Sequence, residues 1–222
     1  MERTHVFQLG MVCAGSTSLC AALNILGLPS LHWEGPDPDY REFETDVIPE
    51  NIKSGRRLFY PYDEQFTGFL DFNGILFYQT LYEMYPKSKF IYTWRERFPW
   101  FKSALRLNQN RWRNGEPVYV GSGPDRVQMV NINIGQDMPI KELVLKIKDM
   151  QNYWILHNQE IPEFFKDDSR FLEMRICDGN NDGWEKLCGF LEMDIPDVDF
   201  PKLKSNNLVF PQSQQITATY EG

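Results

Sequence analysis

Cysteine and histidine are scarce in this 222-residue chain, which holds four of the first and three of the second. Cys13, Cys20, Cys177 and Cys188 show no CxxC spacing and no histidine-rich neighbourhood, so neither a metal site nor a disulfide framework is expected. Long apolar runs are missing too. No stretch reaches the ~20 residues that cross a bilayer. The short apolar run after His5 is broken at Gly10, too soon for a secretory leader. The expectation is a reduced, cytoplasmic, soluble protein with no membrane partner. Positive charge is also short: 23 Lys and Arg stand against 31 Asp and Glu, a net charge of -8 and a pI near 5.0. That sign excludes nucleic acid, whose backbone is gripped by clustered Lys and Arg, yet it allows a pocket for one small anion. Nothing in the sequence speaks to the oligomeric state.

What is present is core-forming material. Hydrophobic residues make up 42% and aromatics 14%, enough for one globular domain over residues 1–222. Strand-like segments, His5 to Leu9, Gly68 to Asp71, Ser88 to Trp94 and Phe171 to Ile176, alternate with helical ones. The helices are expected over Ser16 to Leu26 (closed by Gly27), Ile75 to Tyr85, Phe98 to Leu107, Pro139 to Phe165 and Gly183 to Leu191. The run SKFIYTW is aromatic, β-branched and continuous, as in a strand covered on both faces. The alternation predicts an α/β fold with a mainly parallel sheet. Residues 36–62 and 108–138 read as irregular and as possible substrate lids.

The sharpest motif is Gly10-Met11-Val12-Cys13-Ala14-Gly15-Ser16-Thr17, between a strand and a helix. Two glycines four residues apart have the spacing of a phosphate loop, whose backbone N–H groups and helix N-terminus cradle an anion. The lysine that nucleoside triphosphatases use is absent, since Ser16 stands in its place. The loop therefore fits an anion less charged at the transferred group than a triphosphate. An ordinary strand-to-helix turn with a serine cap is the bland alternative.

Read together, four blocks resemble the P-loop sulfotransferases: the loop with Ser18-Leu19 and Leu31-His32-Trp33; Asp71; Tyr85-Pro86-Lys87-Ser88-Lys89-Phe90-Ile91 with Thr93-Trp94-Arg95; and Gly183-Trp184 through Phe200-Pro201. They fall in that family's order over roughly residues 5 to 207. The resemblance implies a P-loop NTPase-like three-layer α/β/α fold. It also implies transfer of a sulfuryl group from 3′-phosphoadenosine 5′-phosphosulfate (PAPS), leaving 3′-phosphoadenosine 5′-phosphate (PAP), to a hydroxyl or amine of a small molecule. Cys13, Ala14, Gly15, Ser16, Thr17 and Ser18 would hold the 5′-phosphosulfate, and Arg95 with Ser103 the 3′-phosphate. An Arg fork plus a hydroxyl is a competent phosphate grip, although Arg95 read alone is also a surface partner for Glu96. The family carries a basic residue where this chain has Cys13. Arg97, Lys102 or Arg106 are possible sources of that charge.

Transfer also needs a base for the acceptor proton. Asp71 is the first candidate, since strand ends of open α/β sheets are where ligands bind, and since it matches the family's acceptor-facing aspartate. His32 is the second and Glu34 the third. Trp33, Tyr40, Tyr60, Tyr62, Phe66 and Trp112 are candidates for the acceptor pocket. The acidic, aromatic composition favours a neutral or cationic acceptor. Two other readings stay open: a catalytically impaired nucleotide-binding protein on the same fold, and a P-loop small-molecule kinase.

Overall fold

The structure, a computed structural model, describes residues 4–32, 48–71, 78–113, 119–120, 128–129, 151–152, 154–155, 157–179 and 182–203. Five strands form one sheet, β1 (Val6–Gln8), β2 (Ser30–His32), β3 (Gly68–Leu70), β4 (Lys89–Thr93) and β7 (Phe171–Met174), in the order β2-β3-β1-β4-β7. Every pairing is parallel. A separate antiparallel pair joins β5 (Tyr119–Val120) to β6 (Gln128–Met129). The described helices are α1 (Ser16–Ile25), α2 (Ile48–Lys53), α3 (Tyr78–Met84), α4 (Arg97–Arg113), α5 (157–164) and α6 (Trp184–Leu191).

Both faces of the sheet are covered, and the side-chain alternation of the strands explains how. Val6, Leu70, Ile91 and Met174 point to one side, where they meet Leu19 and Leu23 of α1 and Leu187 of α6. Phe7, Phe69, Phe90 and Tyr92 point to the other, where Leu81 of α3, Trp100 and Ala104 of α4, and Ile161 and Phe165 pack. This is the three-layer α/β architecture, and it accounts for strands without a polar face. Rings dominate the second layer: Phe59 and Phe69 stack at 4.5 Å, and Phe165 and Phe171 at 4.8 Å. Burying each such ring stabilises by about 1.5–3 kcal/mol.

The sequence reading and the structure part at a few places. Helix α4 runs to Arg113, so residues 108–113 are helical rather than irregular. Within 36–62, Ile48–Lys53 is a helix, and Leu58 and Phe59 are buried core. Tyr62 and Phe66, candidates for the acceptor pocket, pack against the aromatic core. The cause is Asp63, 2% exposed, which pairs with Arg57 at 2.8 Å and accepts the Tyr85 hydroxyl at 2.9 Å, fixing this segment on the sheet. Trp33, Glu34 and Tyr40, the helix start at 75–77, and most of 114–150 lie outside the described residues. No described helix is long and apolar enough to cross a membrane.

Candidate active site at the carboxyl edge of the sheet

The loop leaves β1 at its carboxyl end and tightens into a turn in which the Ala14 N–H donates to the Met11 carbonyl at 3.1 Å. Both of its glycines are required. A side chain on Gly10 would fall on Thr93 and Gln8, and one on Gly15 would meet Ile176 at 3.1 Å. Gly15 also sits at φ +102°, a conformation that costs other residues energy. Cys13 adopts the left-handed region too, at φ 64°. Two side chains hold the loop from outside. The Trp100 indole N–H donates to the Val12 carbonyl and Arg95 Nη1 to the Cys13 carbonyl, both at 2.8 Å.

Helix α1 starts at Ser16 with no side chain capping it. The first N–H groups of a helix have no partner within it, and the helix dipole adds positive potential there. An anion is the ordinary way to satisfy such an end. Ser16, Thr17 and Ser18 are all buried. The Ser18 hydroxyl is committed elsewhere: it accepts the Leu203 N–H at 2.9 Å, which leaves its backbone N–H as its contribution to an anion site.

The residues singled out as bases converge on the same place. His32 ends β2, Asp71 follows β3, and these strands are neighbours in the sheet. The His32 Nε2 lies 3.1 Å from the Ser16 Oγ, 3.5 Å from the Thr17 Oγ1 and 4.0 Å from the Asp71 Oδ2. His32 is 3% exposed. Two loop hydroxyls, an imidazole and a carboxylate, spread over 56 residues of sequence from Ser16 to Asp71, thus form one cluster.

Sequence reasoning missed the residue beneath that cluster. Gln8, 2% exposed, accepts the Asp71 N–H at 2.9 Å and donates to the Thr93 Oγ1 at 2.7 Å. One buried amide therefore ties together the ends of β3, β1 and β4, and it holds Asp71 at φ 58°. A glutamine closing an apolar strand just before a glycine loop is the signal that pointed to it.

Arg95 follows β4 as expected, but its partner is not Glu96. It makes a two-pronged ion pair with Asp178, Nε to Oδ2 and Nη2 to Oδ1 each at 2.7 Å. The hydrogen bonds that Arg95 donates to Asp178 push the guanidinium's pKa above its ordinary value against the cost of burial, with smaller help from neighbouring charges. Glu96 instead faces Arg175 at 4.0 Å. Ser103 is half-buried in α4, and Arg95 spends its bonds on Asp178 and the loop rather than on it. Lys102 and Arg106 are exposed, and Arg97 lies over the Phe98 ring at 5.9 Å.

A cavity of about 110 Å³ opens beside the loop's Trp100, lined also by Arg97, Phe98, Phe101, Gln151 and Trp154. None of these was expected to line a pocket. No group of three or more His, Cys, Asp or Glu suited to a metal occurs among the described residues.

The profile of the sulfotransferase domain family matches residues 5–209, nearly the whole chain. The chain belongs to the sulfotransferase-domain family, and the loop, the parallel sheet and the helices about it are that family's P-loop-like fold. The comparison with curated proteins found no match.

Proposed function

We propose that the chain, acting as one cytoplasmic domain, transfers a sulfuryl group from PAPS to a hydroxyl or amine of a small-molecule acceptor. The observation that carries this reading is the clustering of His32 and Asp71 with the hydroxyls of the phosphate loop. The donor set suits the group. Gly15 lets the loop turn tightly against Ile176, Ser16 and Thr17 bring hydroxyls, α1 brings an uncapped end, and Arg95 stands against the loop. When bound, PAPS supplies the sulfuryl group and a phosphate that departs with the bonding electrons.

The chain's own residues divide the remaining work. The N–H groups of Gly15, Ser16, Thr17 and Ser18 and the hydroxyls of Ser16 and Thr17 orient the phosphosulfate. Arg95, with Ser103 further along α4, receives the 3′-phosphate, and it keeps its place through Asp178 and the Cys13 carbonyl. Asp71 takes the acceptor's proton, its backbone fixed by Gln8. The aromatic cavity at Trp100 offers a flat acceptor a wall. Arg97 among its lining residues disfavours a cationic guest, which leaves the neutral acceptor as the better reading of the two that composition favoured.

A specific observation favours a second reading, binding without transfer: the loop carries no cation, and Arg95 is already neutralised by a carboxylate. Calorimetric titration with PAP, with ATP–magnesium as control, followed by transfer assays from PAPS to a panel of phenols, alcohols and amines, separates the two. Micromolar PAP binding with transfer supports the enzyme. Binding with no transfer to any acceptor supports the second reading, and no PAP binding sinks both.

A further inference from the structure

We propose that His32 supplies, as an imidazolium, the positive charge that the phosphate loop lacks, so that it acts on the donor anion and leaves the acceptor's proton to Asp71. This rests on the donor site proposed above. From Gly10 to Thr17 the loop has no Lys or Arg. A phosphosulfate brings several negative charges, and charge stabilisation is the largest contribution an enzyme of this kind makes. The other cations at hand are poorly placed for it. Arg95 reaches only the loop's Cys13 carbonyl, with its charge offset by Asp178. Lys102 and Arg106 are exposed on α4, and Arg97 is drawn to Phe98.

His32 is differently situated. Its Nε2 lies within 3.1 Å and 3.5 Å of the two loop hydroxyls, so an anion bonded to those hydroxyls is in the next position to that nitrogen. The two loop hydroxyls are nearer to that nitrogen than the Asp71 carboxylate is, at 3.1 and 3.5 Å against 4.0 Å. Asp71 faces it at 4.0 Å from the end of β3, and a carboxylate at that range favours the charged ring. Burial opposes the charge, and an incoming anion adds to the side of the carboxylate. From α1 the groups turned to β2 are uncharged. Ser16 and Thr17 do not titrate, and Cys20, whose thiol donates to the Ser30 carbonyl at 3.8 Å, is pushed up to about 12 by burial. Strand β3 itself, Gly68–Leu70, adds no ionisable side chain. The role is electrostatic: no bond forms at His32 and no proton leaves it.

Two measurements on the intact chain decide the matter. The first follows the His32 ring by NMR as pH is varied, without and with saturating PAP, its signal assigned through the backbone resonances of the intact chain. PAP raises the midpoint of the His32 titration by about one pH unit, because a ligand that binds the protonated form tenfold more tightly must favour protonation by the same factor. The second compares PAP affinities from pH 6 to pH 8, where the ratio between wild type and H32Q cancels the titration of PAP itself. That ratio is about tenfold at pH 6 and falls toward one at pH 8. Adding C13K to H32Q, which returns a cation to the loop, restores affinity at pH 6. A midpoint that PAP leaves unmoved overturns the inference even if H32Q fails to fold. So does an affinity ratio that stays flat with pH. In either case PAP still binds and the donor site stands. A wild-type chain that binds no PAP removes the donor site, and this inference with it.

Discussion

Arg95 and Asp178 face each other fork to fork, with two hydrogen bonds of 2.7 Å between residues on opposite sides of β7 in sequence. Such pairs are stronger and more directional than single-point ion pairs. Here the pair settles where the guanidinium stands and also cancels its charge. A phosphate arriving at Arg95 must share it with Asp178. We therefore expect D178N to tighten PAP binding, by about three- to tenfold, while R95A loses it by about a hundredfold, the worth of two charge-assisted hydrogen bonds. Calorimetric titration of both variants is the check. Weaker binding in D178N would mean that Asp178 serves to orient Arg95 more than it competes with the ligand.

The loop's geometry makes a sharper demand. Gly15 at φ +102° leaves about 3.1 Å between an added methyl and Ile176, and no flexible side chain end is there to give way. G15A should cost about 1–3 kcal/mol through strain and contact together. In a chain of this size that lowers Tm by about 2–4 °C per kcal/mol. PAP affinity should fall further than stability does, since the amide groups that receive the anion would be turned. A G15A protein with wild-type Tm and wild-type PAP affinity would contradict the account of the loop.

Much of this was legible before any coordinates. The continuous aromatic and β-branched run SKFIYTW marked β4 as a strand covered on both faces, and the glycine spacing marked the loop. Local pattern sufficed for both. His32 and Asp71 were legible as strand-end polar residues, but their meeting at 4.0 Å follows from β2 lying beside β3, a matter of sheet order that no local pattern encodes. Asp178 was not legible at all as the partner of Arg95, because the pair spans 83 residues and Glu96 is the nearer carboxylate in sequence. Tyr62 and Phe66 read as candidates for the acceptor pocket because the charges and prolines around them look like loop, and their packing against the aromatic core was not legible. Asp63, buried against Arg57 and Tyr85, is what draws that segment into the core.

Gln8 gives a prediction that separates positioning from binding. Its amide is the buried partner of the Asp71 N–H and the Thr93 hydroxyl, and it touches no part of the loop's hydroxyl set. Q8M keeps the length and removes both bonds, leaving a buried N–H without its partner at a cost of about 1–3 kcal/mol. We expect PAP affinity within twofold of wild type and kcat at least tenfold lower, with the acid limb of its pH profile displaced, because Asp71 would no longer be held at one place. A change in PAP affinity equal to the change in kcat would assign Gln8 to the loop instead.

Acid should weaken this protein through a residue outside the proposed chemistry. His157, in α5, is 7% exposed, and burial pushes its pKa down from 6.5 to about 4. In the unfolded chain the ring takes up a proton near pH 6.5, whereas in the fold it resists until about pH 4. Over that window the unfolded state binds more protons, so stability falls as pH is lowered. The contribution is fully present above pH 6.5 and is lost progressively down to about pH 4, a total of about 3 kcal/mol. Urea unfolding at pH 7 and pH 4.5 measures it directly. H157Q, which cannot take the proton, should be the less acid-sensitive protein, even though it is the less stable one at pH 7 through lost packing. Equal acid sensitivity in the two would mean that His157 carries none of the effect.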